Sequence, residues 1–196
     1  MLLERLKKYT LVLASGSPRR KELMENAGFR FRTAPGPGVE ESYPEALVGR
    51  EIAGFLARKK SAAFDQPLKE MEILVTADTI VWKDSQVLHK PAGRDEAAQI
   101  LRRLSNAAHY VYTGVCLRSG EKEKTFVSAT EVLFGPVSED EIDYYIQHYQ
   151  PFDKAGGYGI QEWIGFIGVE EIRGSYFNVM GLPVHQLYRE LESFII

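Results

Sequence analysis

A chain of 196 residues, 44% hydrophobic and 26% charged with a formal net charge of −3, is long enough to bury ~70% of its unfolded surface as one globular domain. The acidic balance excludes broad nucleic-acid binding, and Cys116, the only cysteine, excludes an internal disulfide or a cysteine-built zinc site. The charged opening and the short apolar run after it read as neither signal peptide nor membrane span, so a cytoplasmic protein without a membrane partner is expected.

Residues 2–9 read as a polar, lysine-bearing leader. Leu11 to Ala14 then forms a short strand, followed by a tight turn and a helix from Pro18 that Gly28 stops. Ser17 is placed to cap this helix, and Pro18 suits its first position, where no amide proton is needed. The turn gathers free amides, the hydroxyls of Ser15 and Ser17, and the guanidiniums of Arg19 and Arg20. Cations are unfavourable at a helix N-terminus, which points to a bound anion such as phosphate. The alternative is an ordinary corner with solvated arginines.

Phe29 to Thr33 reads as a second strand, and Ala34 to Gly38 as a loop ending in Val39-Glu40-Glu41. Ser42 and the residues from Pro44 onward are expected to start a helix ending in Arg58-Lys59-Lys60, where cations suit the dipole; that helix-end reading is strongest for Lys59. Ile73 to Trp82 is the strongest strand, apolar nearly throughout as for a central strand covered on both faces. Asp78 interrupts it, followed by Thr79. A carboxylate there needs a cation, a metal or water, or a bond to a nearby turn; strand ends that feed a crevice favour function.

A turn at Lys83-Asp84-Ser85 leads to a short strand ending at Leu88, then His89-Lys90-Pro91. Asp95 to Leu104 is an amphipathic helix, and His109 to Leu117 with Thr125 to Phe134 is a hairpin around Ser119-Gly120. Ser138 and Glu141 form a capping box for a helix through about His148, whose tyrosines read as packing. The stretch from Asp153 and Lys154 to Gln161 carries three glycines, suited to close backbone approach or a sharp strand entry. Phe166 to Ile172 reads as a strand, and Val184 to Leu191 as a last helix.

Charge or glycine is thus unexplained at Ser15 to Arg20, Glu40-Glu41, Asp78-Thr79 with Lys90, and Asp153 to Gln161. Metal-assisted phosphoryl chemistry needs such a set, with carboxylates for the ion and cations for the phosphates. The motifs Leu-Ala-Ser-Gly-Ser-Pro-Arg-Arg-x-Glu-Leu, Leu-Ala-Arg-Lys-Lys60, Ala-Asp78-Thr79-Ile-Val, Lys90-Pro91, Asp153-Lys-Ala-Gly-Gly-Tyr-Gly-Ile-Gln161 and Val-Met-Gly-Leu-Pro183 occur in this order. Together they resemble the Maf family of nucleotide pyrophosphatases from Leu11 to Leu191.

The resemblance implies an α/β fold: an elongated mixed β-sheet with flanking helices and two lobes around a cleft, similar to the inosine-triphosphate pyrophosphatases. It implies hydrolysis of a nucleoside triphosphate to monophosphate and pyrophosphate with a divalent cation, Mg²⁺ or Mn²⁺, and a homodimer as a candidate assembly. Arg19, Thr79 and Gln161 resemble the subgroup acting on dTTP and UTP, with CTP or modified pyrimidine nucleotides as further candidates. Asp78 is the expected general base, with Glu41 and Asp78 at the metal. Ser15, Ser17, Arg20, Lys60 and Lys90 are expected on the phosphates, with Asp153 and Lys154 lining the cleft. Lys59 departs from a usual glutamate, and Glu162-Trp163 from a glycine-containing pair. The alternative is a non-catalytic nucleotide sensor regulating septum formation and division arrest.

Overall fold

The computed structural model describes residues 1–120 and 122–195. In chain order the elements are α1 (Leu2–Arg5), β1 (Thr10–Ala14), α2 (Pro18–Asn26), β2 (Phe31–Ala34), α3 (Arg50–Ala62), β3 (Glu72–Lys83), β4 (Gln86–Leu88) and α4 (Arg94–Leu104). There follow β5 (Ala107–Ser119), β6 (Lys122–Phe134), α5 (Glu139–Tyr149), α6 (Trp163–Gly168), β7 (Val169–Arg173), α7 (Tyr176–Met180) and α8 (Val184–Phe194). The strands form one mixed sheet in the order β2-β1-β3-β5-β6-β7, with β4 paired to β3. β1 lies parallel to both β2 and β3, whereas the β3–β4 and β6–β7 pairs are antiparallel. Three strands, β3, β5 and β6, run through both compact units into which the chain divides.

The first unit comprises residues 1–78, 113–128 and 181–196. Its core is built on β1 and the first half of β3, where Val12, Leu13, Ile73, Leu74 and Val75 are fully buried. Such continuous apolar strands are what a parallel pair covered on both faces requires. Val12, Ala14, Ala34, Phe64 and Leu74 form one cluster, with Leu68 packed against it. At the edge strand β2, Arg32 clamps Glu72 with two bonds of 2.8 and 3.0 Å, and this holds the Glu72 carboxyl down at about 2. The residues read as a polar leader are instead a helical turn that buries Leu2 and Leu6. Their charges face outward, and the two leucines, four apart, share the inward face.

The helix expected from Ser42 and Pro44 begins only at Arg50. Pro44 to Leu47 closes a separate turn through Leu47 N–H to Pro44 O, 3.0 Å. Gly49 then takes φ +50°, ψ −119°, a non-helical conformation that ends any continuation from the turn.

The second unit comprises residues 79–112 and 129–180. Here α4 packs on α5 and buries Ala97, Ile100, Leu101 and Leu104. The Ser138 and Glu141 capping box is present, with Ser138 N–H donating to Glu141 Oε2 at 2.7 Å. The Gly-rich stretch is a tight turn rather than a strand entry. Gly156, at φ +71°, lies against Val81, where a Cβ would stand 2.8 Å from Val81 Cγ2. The strand expected over Phe166 to Ile172 splits into α6 and β7, and Phe166 is 79% exposed. A run of apolar residues too short to show its period does not distinguish helix from strand.

His109, Phe134 and Tyr158 form a ring cluster with centroids 5.1–5.6 Å apart, and His109 Nε2 lies 2.7 Å from the Tyr158 hydroxyl. Burial, aided by the positive Lys83, pushes His109 down to about 3. Its unfolded value is near 6.5, so the unfolded chain binds the extra proton first. The His109 contribution to stability should be complete above pH 6.5, fall by ~1.4 kcal/mol per pH unit below it, and level off near pH 3. Denaturation curves across this range should show that component in the wild type and lack it in a His109→Gln variant that folds.

Candidate active site

Of the residues singled out by sequence, Ser15, Ser17, Arg19, Arg20, Glu41, Lys60 and Asp78 lie in the first unit. Thr79, Lys90, Asp153, Lys154 and Gln161 lie in the second. Asp78 and Thr79 are consecutive residues of β3.

The turn before α2 has the anticipated chemistry. Ser17 Oγ caps the helix by accepting from Arg20 N–H at 3.5 Å, with Pro18 at the first helical position. Ser15 Oγ accepts from Ser17 N–H at 3.2 Å and from the Arg20 guanidinium at 3.4 Å. Ser15, Gly16, Ser17, Pro18, Lys21, Thr33, Ala34 and Pro35 line a depression of about 470 Å³. Serine hydroxyls, a helix N-terminus and the Lys21 ammonium make this a surface that favours an anion. Lys21 was missed in the sequence because a lysine in a first turn carries no distinctive pattern.

Arg20 also has partners within the fold. Its guanidinium donates to Gly181 O at 2.8 Å and to Ala77 O at 2.9 Å. Carbonyl oxygens distant in sequence therefore help to hold it near Asp78. Burial lowers the Arg20 pKa, against the opposing pull of Asp78 and Glu41.

One residue beyond Ala77, Asp78 is only 5% exposed. Its Oδ1 accepts from Lys60 Nζ, and the same ammonium donates to Glu41 Oε1 at 2.8 Å. Lys60 therefore meets two carboxylates, where the expectation was a helix-end charge or a phosphate contact. α3 brings it there from its last turn, and Thr76 Oγ1 ties β3 to that helix through Ala57 O at 2.8 Å. Burial raises the Asp78 carboxyl above its ordinary range, more strongly than Lys60 and Arg20 draw it down. Such a carboxylate is a better proton acceptor than an exposed one.

Glu41 and Asp78 thus each present one carboxylate oxygen to the Lys60 ammonium. Magnesium-like ions take one or two carboxylates and leave their other positions to water and phosphate, so this pair fits a divalent cation completed by substrate. Among the described residues no group of three or more His, Cys, Asp or Glu could hold a metal without such help.

In the second unit, Lys154 is buried and its ammonium lies 2.7 Å from Asp153 Oδ1 and 3.1 Å from Glu162 Oε1. Its charge thus meets two carboxylates, the largely exposed Asp153 and the more buried Glu162. Glu162 also accepts from the Tyr145 hydroxyl, which itself accepts from Gly159 N–H at 3.0 Å. This network braces the backbone just before Gln161. Gln161 Oε1 is buried and has no hydrogen-bond partner among the described residues. Lys90 is exposed beside buried Pro91, just beyond β4.

A mixed sheet whose central strand carries a desolvated carboxylate, with an anion-favouring strand–turn–helix at its neighbour, defines an α/β protein equipped for phosphate chemistry. The Maf-like protein family matches residues 10–194, and the chain belongs to that family. A dTTP/UTP pyrophosphatase of Bacteroides fragilis is 55% identical over 192 residues, covering 98% of this chain and 100% of its own. A dTTP/UTP pyrophosphatase of Phocaeicola vulgatus is 52% identical with the same coverage. Among solved structures, a HAM1 protein from Coxiella burnetii has the same fold, with TM-score 0.52 and 16% identity over 94% of this chain and 99% of that one.

The ion pair can be tested directly. Lys60→Met should destabilise the protein at neutral pH by about 3–5 kcal/mol, because it strands a buried carboxylate. Without the cation, Asp78 takes up a proton more readily. The gap to wild type should therefore narrow as pH falls through the carboxylate range, as measured by denaturant titration.

Proposed function

We infer that this chain is a nucleoside triphosphate pyrophosphatase that hydrolyses dTTP and UTP to the monophosphate and pyrophosphate. The observation that carries the reading is the desolvated carboxylate of Asp78, paired with Lys60 in a chain similar end to end to dTTP/UTP pyrophosphatases.

In the reaction water attacks the α-phosphorus, the bond from that phosphorus to the bridging oxygen breaks, and pyrophosphate leaves. Asp78 accepts the proton released by the water, and its raised affinity for protons suits it to that role. Glu41 and Asp78 would hold a divalent cation, Mg²⁺ or Mn²⁺, which supplies charge neutralisation for the phosphates when bound. Ser15, Ser17, Arg20, Lys60 and Lys90 serve the triphosphate, with the serine turn and Lys21 receiving a phosphoryl group.

Arg19, Thr79 and Gln161 select the base. The partnerless Gln161 Oε1 supports this reading, since uracil and thymine offer an N3–H flanked by two carbonyl oxygens. A site built to bond that edge rejects others strongly, because its own buried groups are then left unpaired.

Pyrophosphate release from a panel of triphosphates with Mg²⁺ or Mn²⁺ should favour dTTP and UTP over dATP and dGTP by at least tenfold. Equal turnover of purine nucleotides would refute the base assignment. Asp78→Asn should retain the fold and lose a factor of about 10²–10⁴ in turnover. A folded variant with near-full activity would remove Asp78 as the base.

A further inference from the structure

The segment between β2 and α3 carries Glu41 but has no helix or strand of its own around it. Its backbone bonds are local: Val39 N–H to Pro37 O at 2.9 Å, and Leu47 N–H to Pro44 O at 3.0 Å. What fastens the part between them is a side chain. Lys59 Nζ donates to Glu40 O at 2.8 Å, to Ser42 O at 2.9 Å and to Ser42 Oγ at 3.0 Å. An ammonium has three donors, and all three are engaged by the two residues that flank Glu41. The next residue of the same helix, Lys60, takes the Glu41 carboxylate itself at 2.8 Å and also reaches Asp78. Two consecutive lysines of one helical turn therefore grip Glu41, one through the backbone on either side and one through the side chain.

We propose that Lys59 is a positioning residue: it clamps the Glu40–Ser42 backbone so that the Glu41 carboxylate meets the Lys60–Asp78 pair. A solvated lysine at a helix end needs no such convergence, because the helix dipole acts without specific partners. Three hydrogen bonds to two residues are geometrically demanding, and they engage the loop instead of α3's own last carbonyls. The inference rests on the reading that Glu41 serves the hydrolytic site. It predicts that losing the clamp weakens catalysis through Glu41 alone.

Lys59→Met keeps the aliphatic stem and removes the donors. Since Lys59 lies near the surface, this variant should fold with a melting temperature within a few degrees of wild type. Cleavage by a glutamate-specific protease after Glu40 and Glu41, in protein free of substrate and metal, should be at least tenfold faster, with cleavage elsewhere unaltered. Turnover of dTTP should fall at least tenfold, with a higher Mg²⁺ concentration needed for half-activation. In a Glu41→Gln background the same substitution should cost less than twofold, and Lys59→Arg should restore part of the loss. Unchanged cleavage at Glu40 and Glu41, or a tenfold loss persisting in the Glu41→Gln background, would overturn the assignment. So would full activity in Glu41→Gln, which leaves the hydrolase reading intact if Asp78→Asn is inactive. A wild type that releases no pyrophosphate would instead sink the functional reading, while the proteolysis comparison still decides whether the clamp exists.

Discussion

The constraint on which the site depends is a carboxylate that is almost wholly withdrawn from bulk water. Asp78 sits in the central strand β3, in a stretch from Ile73 to Val81 that is largely apolar and mostly buried. Removing that charge from water is costly, and the cost is offset only by cations held at fixed positions. Lys60 supplies one directly, and Arg20 lies close enough to draw the Asp78 carboxyl down. Arg20 is itself fixed by Ala77 O, the carbonyl immediately before Asp78, and by Gly181 O. Even so, desolvation prevails and Asp78 holds its proton more tightly than a carboxyl in water.

The same logic governs what surrounds it. Glu41 adds a second negative charge beside Asp78 and pushes its proton affinity further up. Two acids and two cations, Arg20 and Lys60, thus converge in the first unit with opposing signs nearly matched. At the start of α2, by contrast, the serine turn and Lys21 line an open depression with no buried carboxylate in its lining. In the second unit the principle recurs with a structural outcome. Lys154 is balanced by Asp153 and Glu162, and the Tyr145 hydroxyl, bonded to Glu162 and Gly159, steadies the backbone leading to Gln161. Gln161 itself carries a buried side-chain oxygen with no hydrogen-bond partner among the described residues.

Much of this organisation was legible in the chain because its causes are local. Strand β3 announces itself by a run that is apolar nearly throughout, the Ser17-Pro18 start of α2 by cap and proline chemistry, and the α5 start by its capping box. Asp78 stood out for the same reason: one charge in an apolar strand has to be explained. The errors fell where local signals are weak or double. Leu2 and Leu6 were hidden among charges that face outward, and Gly49 divided a helical pattern that looked continuous. Phe166 and Ile167 are apolar yet lie on an exposed helical turn.

The sequence by itself determined the mixed α/β fold, the anion-favouring turn, the buried carboxylate and the family to which the chain belongs. The capped turn and the lone carboxylate follow from periodicity and capping, which neighbours along the chain set among themselves; the mixed sheet and the family rest on the resemblance carried by the ordered motifs. Only the tertiary structure decided the partners of the charges. That Arg20 bonds carbonyls, that Lys60 joins Asp78 to Glu41, that Lys59 grips residues 40 and 42, and that Lys154 is internally neutralised depend on groups far apart in sequence. The physical reason is that a long charged side chain takes whichever opposite charge or carbonyl the packed backbone brings within about 3 Å, and that choice is not made until the backbone is folded.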